Sequence, residues 1–356
     1  GTPSTVGILM ARSTTTASGY TAGSLLENLF IDLKTIPAAN GGNGTVAIYN
    51  NGGEQNQFRN LWLVADNPIV FTSQNVFSIS SAFVPTGTTN LAEANNILGG
   101  MFQSVGAGAA ITVQGHVDAT TIQDLVVMKS GGSTAPYGIK ILADSITPTQ
   151  PIRNFRATHI FYEAFDRAIS TTAPVRGFWV SGYIGQGTGP AILLAATNAG
   201  IVGGDINLSY SAGAPTEPLI GDGGSATAGV AMSLIRLYTG QTISCAASPG
   251  LANHFLSEAI SPTITFSGYG DGAQIMQAPG GAQLGSKDAH AFIGVIPGTE
   301  SLDITPPTDG VRGLGVHYTA TTYTAIRAGI RHGGNAAGIN TLGGAQFFAQ
   351  GANQST

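Results

Sequence analysis

A degenerate hydrophobic repeat with the pattern apolar–x–x–apolar–x–apolar recurs along the chain. In the second half of the pattern apolar and polar positions alternate, which is the period of a β-strand with one buried face. An Asn, Asp, Gly or Ala residue before this part indicates a bend at which the chain turns a corner. Copies lie at residues 26–31, 58–63, 122–127 and 175–180, with a variant at 155–160 and a weak candidate for a missing copy at 94–97.

This repeat predicts one short strand for roughly every 20 to 33 residues. Such a strand cannot bury its apolar face alone, whereas the stacked coils of a solenoid share a continuous core. Helical periodicity is almost absent, and the best helical stretch, residues 161–168, is too short and too interrupted to determine the fold. We therefore expect an all-β solenoid of parallel strands.

Composition narrows the class of protein further. Only 9% of the 356 residues are charged, 42% are apolar and 51 are glycine. Long surface helices need solvated Lys and Glu faces, so neither a helical bundle nor a doubly wound enzyme is expected. The glycines follow no three-residue period, which excludes collagen, and the Val, Ile, Leu and Phe content argues against disorder.

The charge and the cysteine count bear on the partners. The net charge is −5, and the Lys and Arg residues between positions 129 and 176 are interspersed with acids, so no nucleic acid partner is expected. No apolar run approaches about 18 residues, so no membrane insertion is expected. Cys245 is the single cysteine, which excludes an internal disulfide and predicts a small buried hydrophobic side chain.

The bent strand repeat, the Asn and Asp corners and the low charge resemble the right-handed parallel β-helix of the pectate-lyase-like superfamily. The resemblance covers roughly residues 20–285, and the composition is most similar to bacteriophage tailspike and tail-fibre proteins. It implies a homotrimer in the virion tail or at an extracellular surface. It also implies a bacterial surface polysaccharide, either capsule or lipopolysaccharide, as the partner, and no cofactor is expected.

The pattern changes near residue 285, and this change divides the chain into three parts. Residues 1–20 are predicted to be a lead-in, residues 21–285 the parallel β-helix, and residues 286–356 a small C-terminal β element. The alternating, Thr-rich residues 314–327 predict strands in this element. A solenoid needs a cap because its last coil exposes an open edge and its core, and the resemblance implies that this one trimerises.

Stacking the repeat in register predicts columns of outward residues. One column contains Phe30, Trp62, Val126, His159 and Trp179, and its neighbour contains Glu27, Arg59, Gln123, Arg156 and Arg176. An exterior stripe of large apolar residues indicates a contact surface. It is either the interface of a three-fold bundle or a glycan site in which aromatic faces stack on sugar rings. The second interpretation assigns substrate binding to Trp62, Trp179, Arg156 and Arg176.

A catalytic alternative depends on His159, Glu163 and Asp166, the densest group of ionisable residues. Glycoside cleavage needs one carboxyl that protonates the leaving oxygen and a second group that activates water or attacks the sugar. The competing interpretation is a solvated corner with local ion pairs. The remaining candidates, Asp205, Asp222 and Asp271, have glycine neighbours that are typical of turns.

The sequence offers no signature of a metal or nucleotide site. The six histidines lack metal-ligand spacing, and the glycine run at residues 185–189 has no helix cap and no P-loop lysine. Two functions remain: a receptor-binding spike that recognises bacterial surface polysaccharide, and a depolymerase, a glycoside hydrolase or lyase, on the same solenoid. A bacterial surface adhesin is a third interpretation that composition does not separate from these.

Overall fold

The computed structural model describes the chain mainly between residues 5 and 258. The described ranges are 5–11, 22–34, 44–73, 92–131, 135–144, 147–185, 187–210, 218–222, 229–246 and 253–258. Beyond residue 258, strand segments between residues 264 and 332 are described. Asp271 and most of the Thr-rich residues 314–327 lie outside the described residues, which contain β-strands and no helix.

The strands follow one another along the chain at short intervals. In chain order they are β1 (Val6–Ala11), β2 (Leu25–Glu27), β3 (Phe30–Asp32), β4 (Val46–Asn51), β5 (Gln57–Ala65), β6 (Asn67–Thr72), β7 (Ala92–Glu93), β8 (Asn96–Ser104), β9 (Ala109–Gln114), β10 (Val117–Asp118), β11 (Thr121–Gln123), β12 (Val126–Lys129), β13 (Tyr137–Leu142), β14 (Ile152–Glu163), β15 (Arg167–Thr171), β16 (Pro174–Ile184), β17 (Ile192–Leu194), β18 (Gly200–Tyr210), β19 (Ile220–Gly221), β20 (Gly229–Leu237), β21 (Ile243–Ala246), β22 (His254–Ser257), β23 (Ile264–Ser267), β24 (Ile275–Ala278), β25 (Gly281–Gly285), β26 (His290–Ile296), β27 (Thr299–Thr305), β28 (Leu314–Gly315) and β29 (Arg331–His332).

Up to β24 these strands alternate between two parallel sheets. The ten-stranded sheet has the order β1-β4-β6-β9-β13-β15-β17-β19-β21-β23. The second sheet, called here the broad sheet, takes the intervening strands from β2 to β24. Each coil therefore contributes one strand to the ten-stranded sheet and one to three strand segments to the broad sheet. The expected parallel β-helix is confirmed, and its first strand, β1, lies within the predicted lead-in and pairs with β4.

An isoleucine ladder forms the inner face of the ten-stranded sheet. The aligned residues, one for each strand from β1 to β21, are Ile8, Ile48, Ile69, Ile111, Ile139, Ile169, Ile192, Ile220 and Ile243. Those from Ile48 to Ile243 are at most 1% exposed. Because neighbouring strands lie about 4.8 Å apart, each β-branched side chain packs on an identical one in the next coil.

The broad sheet turns corners at residues with a left-handed backbone, which form two aligned columns. The first corner contains Gly23, Gln55, Ala94, Ala119, Asn154, Gly177, Gly203 and Met232, and the second contains Asn28, Asn60, Gly99, Asp124 and His159. Glycine, Asn and Asp tolerate this backbone best. The bends predicted from the repeat are therefore confirmed at Asn28, Asn60 and Asp124.

The second corner ends at β14. The pairing between β14 and β16 shifts in register between Ala157 and Ile160, and His159 is the last residue of this corner. A bulge of this kind bends the strand and interrupts the ladder locally. The strands β16, β18 and β20 therefore turn at the first corner alone.

The missing coil is confirmed, but its copy of the repeat lies at residues 97–102 in β8, three residues later than the predicted candidate at 94–97. Ile97 is in register with Phe58 on one side and with Ile122 on the other. Gly100 takes the place of the middle apolar residue, because a Cβ atom there would lie 2.2 Å from the carbonyl oxygen of Leu61 and φ is 115°. The hydrophobic pattern is weak in this coil because the backbone leaves no space for an apolar side chain at position 100.

The interior of the solenoid is aromatic in the middle and partly polar near its N-terminal end. Phe155 and Phe178 stack with ring centres 5.8 Å apart. Asn50 and Asn56 each donate a hydrogen bond to Oδ1 of the buried Asn95, at 3.1 and 3.2 Å. Because buried amides are costly unless they are paired, such bonds also select one register of the coils.

The strand pairing changes after β24. The strands β24, β25, β26 and β27 pair in antiparallel order, as do β28 and β29. The change from parallel to antiparallel pairing occurs near the boundary predicted at residue 285. The domain boundaries themselves stay a prediction.

Candidate functional site on the broad sheet

Register in the broad sheet defines three columns of outward side chains. Column 1 follows the first corner and contains Leu25, Gln57, Asn96, Thr121, Arg156, Trp179, Asp205, Leu234 and His254. Column 2 contains Glu27, Arg59, Leu98, Gln123 and Thr158. Column 3 follows the second corner and contains Phe30, Trp62, Met101, Val126, Phe161 and Tyr183.

Column 3 is an exposed apolar ladder. Phe30 is 64% exposed, Trp62 49% and Tyr183 40%. The rings of Phe30 and Trp62 meet edge to face at 5.4 Å, and those of Phe161 and Tyr183 stack at 5.6 Å. Six consecutive coils thus present large apolar side chains to the exterior, as the sequence predicts for Phe30, Trp62 and Val126.

The predicted alignment of Trp62 with Trp179 is wrong. Trp179 pairs with Arg156 in column 1, whereas Trp62 belongs to column 3. Gly177, which precedes Trp179, is a first-corner residue, whereas Asn60, which precedes Trp62, is a second-corner residue. Both corners leave the same short signature, a left-handed residue followed by alternating apolar positions, so the repeat cannot distinguish them.

His159, Arg156 and Arg176 also lie outside the columns predicted for them. Arg156 is in register with Thr121 in column 1 rather than with Gln123. His159 occupies the second corner itself rather than an outward strand position. Arg176 precedes the first corner, where it is in register with Arg153, and Arg153 is in register with Asp118. Arg176 is therefore separated from Trp179 by the corner at Gly177.

Trp179 and Arg156 are in contact on the outer face of the broad sheet. The guanidinium carbon of Arg156 lies 4.6 Å from the centre of the Trp179 ring, which is cation–π geometry. The far edge of the indole lies over Gly177, since a Cβ atom there would be 2.8 Å from Cη2 of Trp179. The corner glycine thus leaves room for this edge of the indole beside the backbone, while the guanidinium of Arg156 lies over one of its faces.

Polar groups continue column 1 beyond Trp179. Asp205 lies in β18 rather than in the turn that its glycine neighbours suggest, and its carboxylate pairs with Arg236 of the next coil. The hydroxyl of Tyr238 donates to Oδ1 of Asn207 at 2.7 Å. Neither pair was predicted, because their partners lie 31 residues apart in sequence.

The three catalytic candidates have different neighbours. His159 Nδ1 lies 3.1 Å from Oδ1 of Asp124, and both side chains are largely exposed. Asp166 pairs with Lys129 at 3.5 Å in the turn before β15, whereas the carboxylate of Glu163 borders Gly185. These contacts match the interpretation as local ion pairs at a solvated corner, and a catalytic role for the three residues stays a prediction.

Other chemistry in the described residues lies in the core. Cys245 is buried, as predicted, and burial together with the charge of Asp222 raises the pKa of its thiol. Burial likewise raises the pKa of Tyr162. Within the described ranges, no group of three or more His, Cys, Asp and Glu side chains is arranged to hold a metal ion.

The same ranges contain no helix that is long and apolar enough to cross a membrane.

Comparisons with protein-family models, with curated proteins and with solved structures find no match. The function of the chain is therefore inferred from the residues that this face presents.

Proposed function

We propose that this protein is a recognition protein that binds bacterial surface polysaccharide, as a bacteriophage tailspike or related receptor-binding protein of the virion tail does. The observation that carries the proposal is the Arg156–Trp179 pair, which stands on a rigid outer face beside the polar pairs Asp205–Arg236 and Tyr238–Asn207. Aromatic side chains with a few convergent polar groups are the usual lining of a small-molecule site.

The physical argument concerns the two surfaces of a sugar ring. Its C–H groups favour the negative face of an indole, and its hydroxyl groups exchange hydrogen bonds with carboxylate, amide and guanidinium groups. Parallel coils repeat about every 4.8 Å, so side chains on successive coils contact a long chain at several points. Several weak contacts along one polymer add up to firm retention.

We further propose that the apolar ladder of column 3 is covered by other copies of this chain. A contiguous exposed apolar stripe is typical of protein interfaces. Six coils make a ladder about 24 Å long between its first and last rung, which suits a seam between solenoids aligned side by side. Three such seams around a common axis would close a homotrimer.

The proposed function is tested by retention of the protein on immobilised capsular polysaccharides and lipopolysaccharides from a panel of bacteria. We expect at least one of them to retain the wild type. Replacing Arg156 or Trp179 by Ala should lower the affinity about tenfold or more, which corresponds to a loss of about 1.4 kcal/mol of binding free energy. Lys140→Ala is the matched control, because Lys140 forms the same kind of contact with Tyr137 on the ten-stranded sheet.

Two results of this experiment would contradict the proposal. Failure of every polysaccharide in the panel to retain the wild type would contradict polysaccharide recognition. Equal losses of affinity in Arg156→Ala and Lys140→Ala would contradict the assignment of the site to column 1. The length of the bound chains after incubation tests the depolymerase. Shortening that Glu163→Ala or Asp166→Ala abolishes would make the protein an enzyme.

A further inference from the structure

We propose that the first corner of the coil containing β18 is a subsite for a single hexose ring, held between Trp179 and Met232 above Gly203. This inference rests on the proposed function and adds where one sugar unit is bound and by which groups. It follows from an empty position in the first corner, an aromatic side chain beside it and a strained, exposed methionine.

The empty position is Gly203. Gly177, Gly203 and Met232 are aligned at the first corner of three consecutive coils. The indole of Trp179 covers Gly177, whereas a Cβ atom added at Gly203 would have no heavy atom within 4 Å. The surface therefore has a notch whose floor is the backbone of Gly203.

One wall of the notch is the indole of Trp179. Arg156 belongs to the preceding coil and lies over one face of this ring, 4.6 Å from its centre. The opposite face is consequently turned toward the following coil, which is the coil of Gly203. Gly203 places no side chain beside that face, and the outward residue of this coil that is in register with Trp179 is Asp205.

The other wall is Met232, whose side chain is 59% exposed. Its φ is 51°, a left-handed backbone that is strained for a residue with an unbranched apolar side chain and easy for glycine or asparagine. Little of this side chain is buried in the described protein surface, so folding gains little from it. Contact with a ligand explains why a large apolar residue stands there.

The size of the notch fits one sugar ring. Trp179 and Met232 are two coils apart, which corresponds to about 9.6 Å. A ring in van der Waals contact with both walls needs about 7 to 8 Å, because each contact takes about 3.5 to 4.0 Å between atom centres. One saturated ring therefore fills the space, whereas two would not fit.

Polar groups border the same notch on one side. Asp205 lies two residues after Gly203 and pairs with Arg236 of the coil that contains Met232. A hexose with its C–H face on Trp179 directs its equatorial hydroxyl groups sideways, where the carboxylate accepts and the guanidinium donates hydrogen bonds. The subsite thus suits a neutral hexose unit within a longer chain.

The first test fills the notch. Asn154 already occupies the first corner with a φ of 53°, so Gly203→Asn is expected to fold. It should lower retention on the polysaccharide that binds the wild type about tenfold or more. The matched control is Gly23→Asn, because Gly23 has the same left-handed backbone and equally open space but lies far along the corner from Trp179. Wild-type affinity of Gly203→Asn, or an equal loss in Gly23→Asn, would overturn the subsite.

The second test separates the subsite from the proposed function. The chain has two tryptophans, so the Trp62→Phe variant reports fluorescence from Trp179 alone. Titration with methyl glucosides, galactosides and mannosides should give a saturable change with at least one of them, and Gly203→Asn should abolish it. Absence of any change would overturn the subsite even where polysaccharide is retained. A saturable change without retention on any polysaccharide would support the subsite and overturn the proposed recognition of bacterial surfaces.

Discussion

At the scale of single residues, the corners of the broad sheet determine which side chains the chain accepts. A residue in the left-handed region costs about 1–2 kcal/mol unless it is glycine or a residue such as Asn or Asp that bonds its own backbone. The two corner columns contain both kinds, together with Gln55, Ala94, Ala119, His159 and Met232. At the positions with a less tolerant residue, replacement by Asn or Gly should therefore raise stability, and any loss of function can be measured separately.

Replacing Met232 by Asn is expected to stabilise the protein by about 1 kcal/mol, because Asn relieves the strain of the left-handed backbone. Chemical denaturation measures the change. Met128→Asn is the control, since Met128 lies in β12 with no positive φ, and there the substitution should destabilise. If Met232→Asn were no more stable than the wild type, the methionine would not be strained.

Replacing Gly100 by Ala should destabilise the fold by about 2 kcal/mol or more, because the new Cβ would meet the carbonyl oxygen of Leu61 at 2.2 Å. The same substitution at Gly131, where an added Cβ has no neighbour within 4 Å, should have a small effect. Urea midpoints of the two variants give the comparison, and similar midpoints would contradict the close approach of the coils.

Cys245 should resist thiol reagents in the folded protein and react once the protein unfolds. Burial raises the pKa of its thiol from the ordinary value of 9.0, so the reactive thiolate is suppressed. By linkage, the contribution of this group to stability is complete below about pH 9 and decreases as the pH rises above that value. Labelling with a maleimide with and without denaturant checks the first statement, and rapid labelling of the native protein would contradict it.

At the scale of elements, the isoleucine ladder holds the ten-stranded sheet together. Its members recur at unequal intervals along the chain because the connections between coils differ in length. The side chains nevertheless align, since hydrogen bonding between parallel strands sets the register wherever one face is buried. This explains how a weak repeat in sequence becomes a regular stack in space.

Replacing Ile139 by Ala in the middle of this ladder is expected to cost about 2–5 kcal/mol of unfolding free energy, through lost burial and the cavity that remains. Ile139 is fully buried and is paired on both sides with isoleucine. Lys140→Ala, one residue further along β13 and facing outward, should change stability by less than about 0.5 kcal/mol. Equal effects of the two substitutions would contradict the inward orientation of Ile139.

At the scale of the whole molecule, the apolar ladder of column 3 bears on assembly. Phe30 is 64% and Trp62 49% exposed, and this contact of apolar surface with water costs free energy in a chain that stays a monomer. Burial against other copies would recover about 25 cal/mol for each Å² of apolar area removed from water. The ladder is therefore where the proposed homotrimer is most sensitive to change.

The double variant Phe30→Ser, Trp62→Ser is expected to sediment as a monomer at micromolar concentrations where the wild type sediments as a trimer. The control is Leu9→Ser, because Leu9 is an exposed apolar residue of the ten-stranded sheet. Analytical ultracentrifugation over a range of concentrations measures both. A wild type that remains a monomer throughout would remove the proposed interface.

Much of the fold could be inferred from the sequence, because a strand with one buried face has a local pattern of alternating apolar and polar residues. The alternation after Leu26, Phe58 and Ile122 follows from the period of a strand with one face in the core, and Asn28, Asn60 and Asp124 mark corners where few residues tolerate a left-handed backbone. The coil at Ile97 left a weaker record because Gly100 replaces an apolar residue. The low charge and the glycine content belong to the same local information.

The tertiary structure alone decided which side chains meet on the surface. Exposed residues are not constrained by the core, so their neighbours depend on the register between coils that lie 20 to 40 residues apart. Arg156 therefore contacts Trp179 of the next coil, and Trp62 and Trp179 lie in different columns because one follows the second corner and the other the first. Burial determines the architecture from the sequence, whereas strand pairing at long range determines the site.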